Sequence, residues 1–134
     1  MTAADTNVLV AAFASWHEHN AIAAAAVSGG LRLVSHVAVE TYAVLTRLPP
    51  PHRAHPSHVI QFLERHFPDP PLALPPAALA TFLEGLPAHG ISGGASYDAL
   101  VGETARLAGE ELLTLDRRAM RVYEAIGARS RLLA

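Results

Sequence analysis

Cysteine is absent from the 134-residue chain. That excludes disulfides, thiolate nucleophiles, iron–sulfur clusters and cysteine zinc sites. It suits a reducing compartment, and the expected location is cytoplasmic. Lysine is absent too, so all ten basic residues are arginine. Arginine forks bind phosphate bidentately, which is compatible with RNA contact, although codon bias explains the choice more economically. Charge is scarce, at 16% of residues, and the formal net charge of -2 argues against a general nucleic-acid binder. Four acids gathered on a cation would leave the remaining surface slightly positive, so bulk charge does not decide the matter. No stretch reaches the roughly 18 uninterrupted apolar residues of a membrane span. The longest candidate, Ala21 to Val27, ends at Ser28-Gly29-Gly30. No Lys or Arg precedes the first apolar run, and Asp5 interrupts it, so a secretory leader is not expected. Internal repeats and low-complexity tails are also lacking.

What remains is a chain that is 51% hydrophobic and long enough for one domain, residues 1–134, with a real core. Two proline-rich stretches punctuate it, Pro49 to Pro56 and Pro68 to Pro76, and read as loops, the second with a short extended segment at Leu72 to Leu74. Short strands are expected at Thr2–Ala4, Leu31–Val34, Glu111–Leu115 and Arg131–Leu133. Helices are expected at Thr6–Ala14, His17–Val27, His36–Leu48, Ser57–His66, Ala77–Leu86, Tyr97–Ala108 and Arg117–Ala125. Strands alternating with helices predict an α/β domain with a mainly parallel sheet.

Four carboxylates stand out. Asp5 ends the first strand and precedes a helix, and Asp116 in "LLTLDRRAM" does the same later. In an open parallel sheet the carboxyl ends of strands share the edge where ligands bind, so the two are predicted neighbours. Helix capping, worth about 0.5–2 kcal/mol, accounts for either residue taken alone. Asp98 in "GGASYDALVGETA" falls in a first helical turn behind Ser96 as the expected N-cap. There it complements the helix dipole, yet Val101 and Gly102 make its face partly apolar. Glu40 in "HVAVETYAVLTRL" is mid-helix, where capping cannot apply. Its same-face neighbours are His36, Val37, Ala43 and Val44, and its simplest alternative partner is Arg47, two turns along the same face. Together, ionised carboxylates repel one another unless a hard cation neutralises them. Mg²⁺ or Mn²⁺ on such ligands activates water and stabilises charge on phosphate, so the residues fit phosphodiester hydrolysis.

At these residues the chain resembles the PIN-domain ribonucleases, and specifically the VapC-type toxins of bacterial toxin–antitoxin pairs. The matching elements are Asp5-Thr6-Asn7 before an apolar helix, Glu40 in "VETYAVLTR", Asp98 in "SYDALVGETA" and Asp116 in "LTLDRR", in the family's order over nearly the whole chain. The resemblance implies a three-layer α/β/α domain with a short, mainly parallel sheet. It implies endonucleolytic cleavage of RNA with Mg²⁺ or Mn²⁺, a homodimer and a cognate antitoxin. Asp5, Asp98 and Asp116 would hold the metal, with Glu40 doing so directly or through water. Thr6, Asn7 and Thr114 match the polar residues flanking the acids, and Asn7 and Thr114 would orient carboxylates by hydrogen bonds. The proline-rich loops have no matching motif, and the carry-over stops there.

Two other readings stay open. One is a PIN-like module without catalysis, binding RNA or an antitoxin. The other is a DNA nuclease with the same metal chemistry, a class that usually needs extra helical clamps. Among other residues, Arg117 beside Asp116 is a candidate phosphate contact, and Glu103 pairs naturally with Arg106. His17 and His19 do not share a helical face, and His52, His55 and His58 lack a zinc pattern. Trp16 is expected to pack between the first two helices.

Overall fold

A computed structural model describes residues 2–134. Its sheet has three parallel strands in the order β1 (Thr2–Ala4), β2 (Glu111–Thr114), β3 (Ser130–Leu132). The register pairs Ala4 with Leu113 and Thr114 with Leu132. On β2 the adjacent residues Leu112 and Leu113 point to opposite faces, and both are buried. A strand buried on both faces needs cover on both, which gives the three-layer α/β/α architecture.

The helices are α1 (Thr6–Phe13), α2 (Asn20–Ser28), α3 (Ser35–Arg47), α4 (Pro56–His66), α5 (Leu79–Gly85), α6 (Ala95–Leu107) and α7 (Arg117–Ala125). Helix α1 packs on α2 and α3, and α6 packs on α7. The main core joins Val8 and Leu9 of α1, Val37 of α3, Val101 of α6, Leu112 and Leu113 of β2, and Tyr123 of α7. A smaller cluster of Leu86, Ile91 and Ala99 seats the α5 segment against α6. Among the described residues, no helix is long and apolar enough to cross a membrane.

Four expectations are corrected by particular residues. Helix α2 starts at Asn20 rather than His17, because the Asn20 side chain donates to the carbonyls of Ala11 and Ala12 (2.9 and 3.2 Å) and ends α1 with a turn instead. That turn carries Trp16, which is 48% exposed and lies against His52 rather than between the helices. The segment 31–34 forms only single parallel bridges, Ala3 to Arg32 and Val34 to Leu72. It is squeezed between Gly30, at φ 93°, and the start of α3 at Ser35. Finally, α6 begins at Ala95 with Gly94 as N-cap, so Ser96 is already helical; Gly93, at φ 60°, turns the chain into the helix early. The second proline-rich stretch is pinned by Leu72, which donates to Leu33 O (2.7 Å) and accepts from Ser35 N (2.8 Å).

Candidate active site

The carboxyl ends of β1 and β2 lie side by side because the strands are parallel neighbours, and the Asp5 amide continues the ladder by donating to Leu113 O (2.9 Å). Asp5 caps α1, its Oδ1 accepting from Thr6 N (2.6 Å). Asp116 caps α7, its Oδ1 accepting from Arg118 N (2.8 Å). Capping and membership of the cluster thus coincide in both residues.

One hydroxyl links the two. Thr114 Oγ1 donates to Asp5 Oδ2 (3.0 Å) and accepts from Asp116 N (3.0 Å) and from Asn7 Nδ2 (3.2 Å). Asn7 Oδ1 in turn accepts from Leu115 N (2.8 Å), stapling α1 to the end of β2. Asn7 therefore acts on the carboxylates through Thr114 and the β2 backbone, not by touching them. Thr6 contributes its backbone N–H, while its own hydroxyl is buried without a hydrogen-bond partner among the described residues.

Sequence reasoning missed Tyr123. Its hydroxyl donates to Asp5 Oδ2 (2.5 Å), and its ring is fully buried. The signal was available: Ala119 and Tyr123 fall on one face of an amphipathic helix, and a buried tyrosine hydroxyl needs a partner. The ring fits because α6 presents Gly102 there. A Cβ on Gly102 would stand 2.8 Å from both Tyr123 Cδ1 and Ile126 Cδ1. The small residue one turn after Asp98 is thus what lets the tyrosine reach Asp5.

Asp98 and Glu40 face each other across a second part of the site, a cleft of about 390 Å³ between α3 and the start of α6. His36, Arg47 and Tyr97 also line it. Glu40 Oε2 meets His36 Nε2 at 3.1 Å, so its partner is His36 rather than Arg47. Arg117 stands exposed beside Asp116. Glu103 and Arg106 form the expected pair away from the cluster, at 2.6 and 3.0 Å.

Electrostatics joins all four acids. Burial, then the charges of Asp5, Asp116 and Glu40, raise the Asp98 carboxyl from an ordinary 3.8 to about 6, with His36 opposing. Burial also raises Asp5, and Glu40 adds to it, against the lowering effect of bonds from Tyr123, Thr114 and Thr6. The Tyr123 hydroxyl is held protonated by burial and by the carboxylates of Asp5, Asp98 and Asp116. Among the described residues, no three His, Asp or Glu side chains stand close enough to grip one ion directly. The arrangement is a loose cluster of carboxylates, tightly fixed at Asp5, tied to His36 at Glu40 and least held at Asp98.

Comparison with known proteins follows the same lines. The sequence profile of the PIN domain matches residues 3–125. Over 124 residues the chain is 50% identical to a protein named Ribonuclease VapC40 from Mycobacterium tuberculosis, an alignment covering 92% of each chain. Over 126 residues it is 37% identical to Ribonuclease VapC27 of the same species, covering 93% of this chain and 91% of that one.

Proposed function

The chain belongs to the PIN-domain family, on its VapC-type branch, and from that premise we propose that it is a metal-dependent endoribonuclease and the toxin of a toxin–antitoxin pair. The observation that carries this reading is the gathering of Asp5, Glu40, Asp98 and Asp116 at one sheet edge, where three of them raise the fourth. A module without catalysis has no physical reason to keep carboxylates that repel one another.

The donor chemistry fits Mg²⁺ or Mn²⁺, since all four side chains offer hard oxygen ligands. Asp5, Asp98 and Asp116 would hold the cation, with Glu40 doing so directly or through water. Mg²⁺ usually keeps several waters and takes only one or two carboxylates, so a tight three-residue grip is not required. When bound, the ion supplies an activated water and neutralises charge on the phosphoryl group.

The chain's own residues prepare the rest. Tyr123 and Thr114 both donate to Oδ2 of Asp5, while among the described residues Oδ1 takes only Thr6 N, which leaves acceptor capacity on Oδ1. Thr114 sets Asp5 and Asp116 at a fixed spacing. His36 holds Glu40 in the cleft. Arg117, one residue beyond Asp116, is the candidate phosphate contact. A cognate antitoxin and a second copy of the chain are the proposed protein partners. Their support is an exposed apolar face on α3 and α4, where Val39, Tyr42 and Ile60 border a groove completed by Ala38 and Leu63.

The test is cleavage of total RNA, and of DNA in parallel, by the purified chain, with new 5′ ends mapped. The arms are Mg²⁺ or Mn²⁺, chelator, and Asp98→Asn. Discrete metal-dependent cuts in RNA, lost in the variant, are expected. Cuts that survive chelator would remove the metal from the reading. A folded, metal-binding chain that cuts no RNA would overturn the enzyme and return the protein to the binding-module class.

A further inference from the structure

Tyr97 sits in the first turn of α6, immediately before Asp98, and is 60% exposed. An exposed tyrosine side chain is ordinarily free to rotate. This one is held: its ring lies parallel to His36, 6° between planes and 5.5 Å between centroids. His36 is itself tied to Glu40. Two acids of the cluster therefore bracket a flat aromatic pair, with Glu40 bonded to one ring and Asp98 adjoining the other in sequence. The cleft they line lies within the range of about 300–1,000 Å³ typical of small-ligand sites. Arg47, two turns beyond Glu40 on α3, brings a positive charge to the cleft that also holds the carboxylates of Glu40 and Asp98.

We infer that the Tyr97–His36 pair is a base-stacking platform, on which an unpaired nucleobase of the RNA strand rests while the neighbouring phosphate meets the acid cluster. The inference rests on the proposed ribonuclease reading and narrows its substrate to single-stranded or looped RNA. Stacking uses the π-face that every base carries, so the platform selects unpaired over paired strands rather than one base over another. A base within a duplex has both faces covered by its neighbours and cannot use it. Arg47, which lines the same cleft, is the candidate contact for a flanking phosphate.

Binding is measured by fluorescence anisotropy with three labelled probes of equal length: oligoadenylate, the same strand annealed to oligouridylate, and an abasic ribose-phosphate strand. The protein carries Asp116→Asn with Mg²⁺ present, and a parallel series uses chelator, so the strand is held without being cut. The abasic probe keeps every phosphate and removes only the rings. Oligoadenylate is expected to bind about tenfold or more tightly than either other probe. Tyr97→Ala should erase that preference, and Tyr97→Trp should retain it. In cleavage assays with intact acids, Tyr97→Ala should raise KM with little change in kcat.

A preference for oligoadenylate that survives Tyr97→Ala would overturn the platform. So would cleavage by Tyr97→Ala with unchanged KM, and in that case the ribonuclease reading would stand. If the intact protein neither binds nor cuts any RNA, the ribonuclease reading fails and takes the platform with it. If Tyr97→Ala alters the oligomeric state on gel filtration while RNA affinity is unchanged, the residue belongs to a protein contact and the platform is likewise overturned.

Discussion

The two halves of the acid cluster are built differently. At Asp5 the carboxylate is buried and receives donors from Thr6, Thr114 and Tyr123. At Asp98 the carboxylate is half-buried, no side-chain bond holds it among the described residues, and its pKa is raised by the three other acids after burial. Protein groups fix the first half before anything binds. The second half is less satisfied, with His36 alone among the stated causes opposing the repulsion. On the proposed metal-dependent reading, such a division would let one corner set position while the other supplied affinity for a cation.

The largest expected effect comes from the fixed half. Asp5→Ala should abolish cleavage and strand the hydroxyls of Thr114 and Tyr123, at about 1–3 kcal/mol for each buried donor left unpaired. Denaturant unfolding measures that loss. Unchanged stability would mean that the bonds at Asp5 only offset the cost of burying its charge, and the contrast between the halves would collapse.

Asp98→Asn should also abolish cleavage, but with the opposite effect on folding. The folded carboxyl titrates at about 6 against an ordinary 3.8, so the folded state binds more protons between those values. Metal-free wild type therefore loses stability as pH rises through that window, and it does not regain it above. The variant lacks this loss. Its melting temperature in chelator should exceed that of wild type at neutral pH, and the gap should close as pH falls below about 4. A gap that is absent at neutral pH would show that Asp98 is not under electrostatic load.

Smaller effects probe how the fixed half is held. Gly102→Ala drives a methyl to 2.8 Å from the Tyr123 ring and should cost about 1–3 kcal/mol while weakening Mn²⁺ binding through the displaced hydroxyl. Tyr123→Phe keeps the ring and removes only the donor. It should lower Mn²⁺ affinity by about tenfold or more, as read by titration calorimetry, at a stability cost of roughly 1 kcal/mol. The smallest change is expected at Glu103→Ala. The exposed pair with Arg106 contributes only about 0.3–0.5 kcal/mol, and cleavage should be unaffected.

How much of this was legible in the sequence follows the range of each force. Asp5 and Asp116 were readable as neighbours because parallel strands place their carboxyl ends together whatever the intervening chain does. Most helices were readable from their own periodicity and caps, and Arg117–Ala125 has the expected bounds. Tyr123 escaped because its role depends on Gly102, on another helix, giving it room. The partner of Glu40 escaped because His36 and Arg47 both lie on its face, and spacing alone does not choose between one turn and two. Trp16 was misplaced because one asparagine, Asn20, folds a turn back onto the end of α1 through side-chain bonds to Ala11 and Ala12 that no helical periodicity announces.

The bond from Thr114 to Asp5 spans 109 positions in the chain, and that from Tyr123 spans 118. A ribosome making this chain delivers Asp5 more than a hundred residues ahead of both partners. Until both have emerged, the carboxylate corner at Asp5 lacks its donors. On the proposed ribonuclease reading, the order in which the residues appear would keep that corner unassembled beside the messenger being read.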